Sequence, residues 1–93
     1  MEFTNKYPTG AVVGNAILSR KGYNVGFVLI QNKHLYYISV VLLRDSKVLE
    51  IKTSDPFEKK QALQYATVGI LNLVNRHKYT LHQHTGELQE LVI

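Results

Sequence analysis

The chain has 93 residues, 45% of them hydrophobic and 19% charged, and reads as one small soluble domain with too little sequence for a second. It contains no cysteine, which excludes a disulfide framework, a thiolate nucleophile and a Cys-based zinc site. Eleven Lys and Arg against seven Asp and Glu give a formal charge of +4, a mild positive field that favours an acidic partner such as nucleic acid.

The opening Met1 to Pro8 carries an acidic residue and a proline and has no apolar run, so it does not read as a secretory signal. Residues 1–10 read as a loose arm. No stretch approaches the ~18 apolar residues of a membrane span, and the expected compartment is the cytoplasm. Residues 11–20, Ala-Val-Val-Gly-Asn-Ala-Ile-Leu-Ser-Arg, fit a short helix or a strand that turns at Lys21-Gly22. Gly14 weakens the helix and the Val pair favours the strand.

Residues 25–31 and 35–43 are β-branched and aromatic runs separated by Asn32-Lys33-His34, the pattern of a hairpin. A break at Arg44-Asp45-Ser46 leads to Lys47 to Lys52, where Leu49 and Ile51 alternate with Glu50 and Lys52 as in a half-buried strand. Alternation puts Tyr36, Ile38, Val40 and Leu42 on one face of the central strand and Leu35, Tyr37, Val41 and Leu43 on the other. Both faces are apolar, so either the terminal segments or a second copy of the chain is expected to cover the outer one.

A helix is expected from Ser54-Asp55-Pro56-Phe57-Glu58, with Asp55 as N-cap, Pro56 at the first helical position and Glu58 completing a capping box. Ala62, Leu63, Ala66, Gly69, Ile70, Leu73 and Val74 then share one broad face, the stripe of a helix lying on a sheet. Phe57, Val68 and Leu71 form a smaller apolar group on its opposite side. Residues 79–93 read as a short terminal hairpin turning at Thr85-Gly86. The whole is an α+β domain, an antiparallel meander of three or more strands with one main C-terminal helix packed on one face, in the order (α or β)-β-β-β-α plus the terminal hairpin.

Three strands followed by a helix that opens Lys59-Lys60-Gln61-Ala62 and runs through Ala66 to Ile70-Leu71 resemble the double-stranded RNA-binding domain. In that family the last helix starts with a Lys-Lys-x-Ala-Lys motif. His34, shortly before Tyr37, is similar to the family's loop histidine. The resemblance covers residues 11–75 and implies that Lys59 and Lys60 meet phosphates across a major groove, while Lys33 and His34 reach a minor groove and its 2′-hydroxyls. Departures accompany it. Leu63 replaces the third motif lysine, Gln31-Asn32-Lys33 stands where Gly-Pro is usual, and Lys52 to Pro56 replaces a Gly-rich approach, with Asp55 putting a negative charge next to where phosphate should sit.

Lys59, Lys60, Lys33 and His34 are therefore the candidate nucleic-acid-binding residues, with Arg20, Lys21, Arg76 and Lys78 adding phosphate contacts. His82 and His84, two apart and thus expected on one strand face, with His77 nearby and Glu87 or Glu90 as further ligands, sketch a metal site but lack an established ligand spacing. Ser19, Ser39 and Ser46 have no assigned base, the carboxylates form no evident acid and base pair, and no glycine spacing matches a phosphate loop. No enzyme, cofactor, metal or small-molecule substrate is expected. Tyr23, Phe27, Tyr36 and Tyr37 would stack single-stranded bases only if at least two of the rings were exposed on one face. The expectation is a non-enzymatic module contacting the backbone of duplex RNA. The alternative is a protein-interaction or regulatory protein that forms a homodimer through its apolar sheet and helix surfaces.

Overall fold

The computed structural model describes residues 10–91, with side chains described as far as Gln89. The loose arm expected at residues 1–10 lies outside the described residues apart from Gly10. Five strands, β1 (Ala11–Arg20), β2 (Tyr23–Asn32), β3 (Leu35–Arg44), β4 (Lys47–Thr53) and β5 (Thr80–Gly86), form one antiparallel sheet in the order β4-β3-β2-β1-β5. Helix α1 (Lys59–Arg76) carries the chain from the β4 edge across one face to the β5 edge, and a 3-10 helix (Glu87–Leu91) follows β5.

Residues 11–20 are a strand, so the order of elements is β-β-β-β-α-β. The Val12-Val13 pair and the alternation of buried Ala16 and Leu18 with Ile17 and Ser19 outweigh the helical option. Two of the meander's turns need left-handed backbone at both central residues. Lys21 and Gly22 have φ of 48° and 85°, and Asp45 and Ser46 have 51° and 65°, the geometry whose twist matches a two-residue hairpin.

Helix α1 starts at Lys59, later than Asp55-Pro56 suggests, and its N-cap residue Glu58 makes no side-chain capping bond. The β3 edge explains the delay. Beyond the end of β4, the backbone groups of Ile38 and Tyr36 still require partners. Ser54 N–H donates to the Ile38 carbonyl at 2.9 Å, and Ile38 N–H donates to Ser54 Oγ at 3.0 Å. Phe57 and Tyr36 then exchange two backbone bonds of 2.8 Å. Holding Phe57 extended against β3 keeps Asp55 and Pro56 in the connection, because a helix begun there would forfeit both of those bonds.

The apolar stripe of α1 lies where its spacing places it. Ala62, Ala66 and Ile70 are buried with Ala16, Leu18, Val25, Phe27, Leu29, Tyr36, Ile38 and Leu88 in a single cluster, and Leu63, Leu73 and Val74 pack around it. Gly69 sets the approach of helix to sheet, since a Cβ there would come within 2.9 Å of the Phe27 ring. Phe57 lies outside the helix and packs on the core edge, its ring stacked on Tyr65 at 5.3 Å between centroids, so the expected Phe57, Val68 and Leu71 group does not form. Val68 alone of the three is exposed.

The terminal segment differs from the expected hairpin. Thr80–Gly86 pairs with β1, and Glu87–Leu91 turns up as a 3-10 helix whose Leu88 enters the core on the α1 side. Gly86, with φ of 59°, makes that turn against β1, where a Cβ would lie 2.1 Å from the Val13 carbonyl oxygen. The described part of the C-terminal segment thus lies on the helix side, while Ile30, Ser39, Val41 and Ile51 on the outer face are buried within the single chain.

Candidate nucleic-acid interface

An up-and-down meander sorts its turns by parity: the β1–β2 and β3–β4 turns share one end of the sheet and the β2–β3 turn the other. Cross-strand register shows which side chains meet. Arg20 pairs with Tyr23, Tyr23 with Arg44, and Arg44 with Lys47, so these four form one row across β1, β2, β3 and β4. Val25 and Leu42, two residues inward along β2 and β3, pack in or against the helix-side core, so the row also faces the helix side. Arg44 is tied into it by Tyr23. Its Nη1 donates to the Tyr23 hydroxyl at 3.0 Å and its guanidinium carbon lies 5.0 Å from the ring centroid.

The end of α1 comes to the same place. Thr80 pairs with Ser19 one residue before Arg20, and Tyr79 N–H donates to the Leu73 carbonyl at 3.0 Å, which holds Arg76, His77 and Lys78 beside the β1 end of the row. Arg20, Lys21, Arg44, Lys47, Arg76 and Lys78 are all exposed. Among the described residues this end therefore carries six cationic side chains and one carboxylate, Asp45. The C-terminal dipole of α1 points at it with roughly half a negative charge, too little to offset the excess.

The opposite end is balanced. Lys33, Lys59 and Lys60 share it with Asp55, Glu58 and Glu87, and Lys59 forms a salt bridge with Glu87. Glu58 at the N-cap and Glu87 occupy the positive, N-terminal end of the helix dipole that the family resemblance reserved for phosphate. The β-bridge at Tyr36 does bring the His34 loop near the start of α1, so Lys33, His34, Lys59 and Lys60 are brought together. Arg20, Lys21, Arg76 and Lys78 are brought together as well, at the other end of the molecule. The two groups do not form one surface.

Arg44 and Lys47 complete the basic end and were not among the sequence candidates. The signal for them was available: once four strands are read as a meander, the residues flanking the first and third turns must lie together. Of the four rings considered for base stacking, Phe27 and Tyr36 are buried in the core and Tyr37 faces the outer side, which leaves Tyr23 alone at the basic end.

The histidine pair is split by a bulge. Between Ile17 and Leu18 the β1–β5 register shifts, with Ile17 opposite Gln83 and Leu18 opposite Leu81, so His82 is the extra residue. His82 Nε2 is hydrogen-bonded to Ser19 Oγ on the outer face, while His84, paired with buried Ala16, faces the helix side. The expected common face does not exist. Among the described residues no three His, Asp or Glu side chains gather into a metal site. No helix among the described residues is long and apolar enough to cross a membrane.

No protein-family model, curated protein or solved structure matches this chain.

Proposed function

We propose that the chain is a non-enzymatic nucleic-acid-binding module that grips the phosphate backbone of a duplex with its basic end. The observation that carries this reading is the segregation of charge: six exposed cations against one carboxylate at one end, and balanced charge at the other. The row Arg20, Tyr23, Arg44 and Lys47 crosses three strand spacings, about 14 Å, which is the length of a few nucleotides along one backbone. Arg20 and Arg44, on either side of Tyr23 in the row, supply forked donors suited to phosphate oxygens. The backbone that carries these cations is fixed by the strand ends, their turns and the end of α1, and the Arg44 side chain is already held by Tyr23.

Contacts of this kind read charge and shape and carry little sequence information. The first ligand is duplex RNA, with duplex DNA and single strands as comparisons, each titrated by fluorescence anisotropy over a range of salt. Four or so neutralised phosphates give a slope of log affinity on log salt of about −3 to −4. Failure to bind any of the polynucleotides at low salt removes the reading.

A further inference from the structure

We propose that residues 1–9 lie extended across the outer face of the sheet and cover its centre. On that face, identified by register, Ile30, Ser39, Val41 and Ile51 are 4%, 0%, 9% and 9% exposed in the single chain. Neighbouring strands flank a side chain on an open sheet face but leave its outward end in water, so burial this complete requires atoms lying above the sheet. The described elements do not supply them. Helix α1 and the 3-10 helix pack on the other face, where Ala62, Ala66, Ile70 and Leu88 join the core, and the connection from Ser54 to Phe57 bonds along the edge of β3.

The cover has the shape of one segment of chain. Ile30 on β2, Ser39 on β3 and Ile51 on β4 lie along a diagonal, with Val41 opposite Ile51. Away from it the same face is open: Ile17 and Val48 are 38% and 48% exposed, and Asn24 is exposed as well. A second sheet laid on this face would shut those positions along with the centre.

The diagonal starts where residues 1–9 join the described chain. Gly10, immediately before β1, lies against β2, where an added Cβ would come within 3.0 Å of Ile30 Cγ2. From Ile30 to Ile51 is two strand spacings, about 10 Å, across the sheet and four residues, about 13 Å, along it, a path of roughly 16 Å. Nine extended residues reach about 30 Å.

The sequence of the segment suits that position. Met1, Phe3 and Tyr7 stand at odd positions and Glu2 and Lys6 at even ones, so an extended chain turns its large apolar side chains one way and both of its charges the other. Pressed on the sheet, the apolar side meets Ile30, Val41 and Ile51. Ser39 is covered without leaving an unpaired hydroxyl, because its Oγ is 2.9 Å from Thr53 Oγ1. The outer face then forms a second small apolar layer closed within one chain.

The test is a nuclear Overhauser spectrum of the full chain, beside the urea midpoint and the fluorescence of a dye that binds exposed apolar surface. The Phe3 and Tyr7 rings should show contacts to methyl groups of Ile30, Val41 or Ile51. Phe3→Asp/Tyr7→Asp should lower the midpoint and raise dye fluorescence several-fold, whereas Glu2→Ala/Lys6→Ala, on the other side of the segment, should match the wild type in both. Absence of the ring-to-methyl contacts in the wild type overturns the proposal, and so does a Phe3→Asp/Tyr7→Asp variant indistinguishable from the wild type. Contacts found only between molecules in a half-labelled mixture would assign the face to the segment of a second copy and overturn it too.

Discussion

Arg44 and Tyr23 sit opposite each other on β3 and β2, and the tyrosine both accepts a 3.0 Å hydrogen bond from the guanidinium and lies 5.0 Å from it at the ring centroid. This pair fixes the middle of the cationic row. Tyr23→Phe removes the acceptor and keeps the ring, so stability should move by no more than about 0.5 kcal/mol at so exposed a site. Affinity for duplex should fall a few-fold through looser placement of Arg44. Thermal melting and anisotropy on the same sample separate the two effects.

Gly69 offers a test of the helix–sheet contact. Alanine is worth roughly 1 kcal/mol more than glycine in a helix interior. Its Cβ would, however, press to 2.9 Å from the Phe27 ring, which is 5% exposed and held in the core. Overpacking costs about 1–3 kcal/mol, so Gly69→Ala should destabilise the fold despite the better propensity, as read by the urea midpoint.

Gly86 and Gly22 both have positive φ but different surroundings. At Gly22 an added Cβ meets nothing within 4 Å, whereas at Gly86 it meets the Val13 carbonyl oxygen at 2.1 Å. Gly22→Ala should cost about 1 kcal/mol of left-handed strain. Gly86→Ala should cost clearly more, because backbone atoms of β1 must move as well. Urea denaturation of the two variants side by side gives the order.

Ser54→Ala removes the side-chain acceptor for Ile38 N–H. The expected loss is about 0.5–1.5 kcal/mol. Amide hydrogen exchange should show Ile38 opening faster while Tyr36, held by Phe57, is less affected.

Alternation along β2, β3 and β4 made the meander legible, and the 3.6-residue spacing from Ala62 to Val74 identified the buried face of α1. What the sequence did not disclose came from pairing between distant segments. The start of α1 moved because Tyr36 and Ile38 needed partners that only Ser54 and Phe57 supply, and no local pattern around Asp55-Pro56 carries that information. The split of His82 from His84 depends on a bulge in a β1–β5 register between residues more than sixty apart in the chain.

At the candidate site, the local motif Lys59-Lys60 lies at the end of the molecule where Glu58, Asp55 and Glu87 balance the charge. The stronger basic surface is assembled from single residues at four strand ends and the end of a helix. Arg20-Lys21 and Arg76 to Lys78 were visible as clusters. Arg44 and Lys47 were each an isolated cation beside Asp45, and only the order of the strands joins them to the rest.

The most direct measurement is the affinity for one duplex RNA, at two salt concentrations, of the wild type, of Arg44→Glu/Lys47→Glu and of Lys59→Glu/Lys60→Glu. Reversal at Arg44 and Lys47 should abolish salt-dependent binding. Reversal at Lys59 and Lys60 should leave the slope of log affinity on log salt within about one unit of the wild type, the change expected from a single phosphate contact. Binding lost on reversal of Lys59 and Lys60 but retained on reversal of Arg44 and Lys47 would contradict the assignment of the nucleic acid to the basic end.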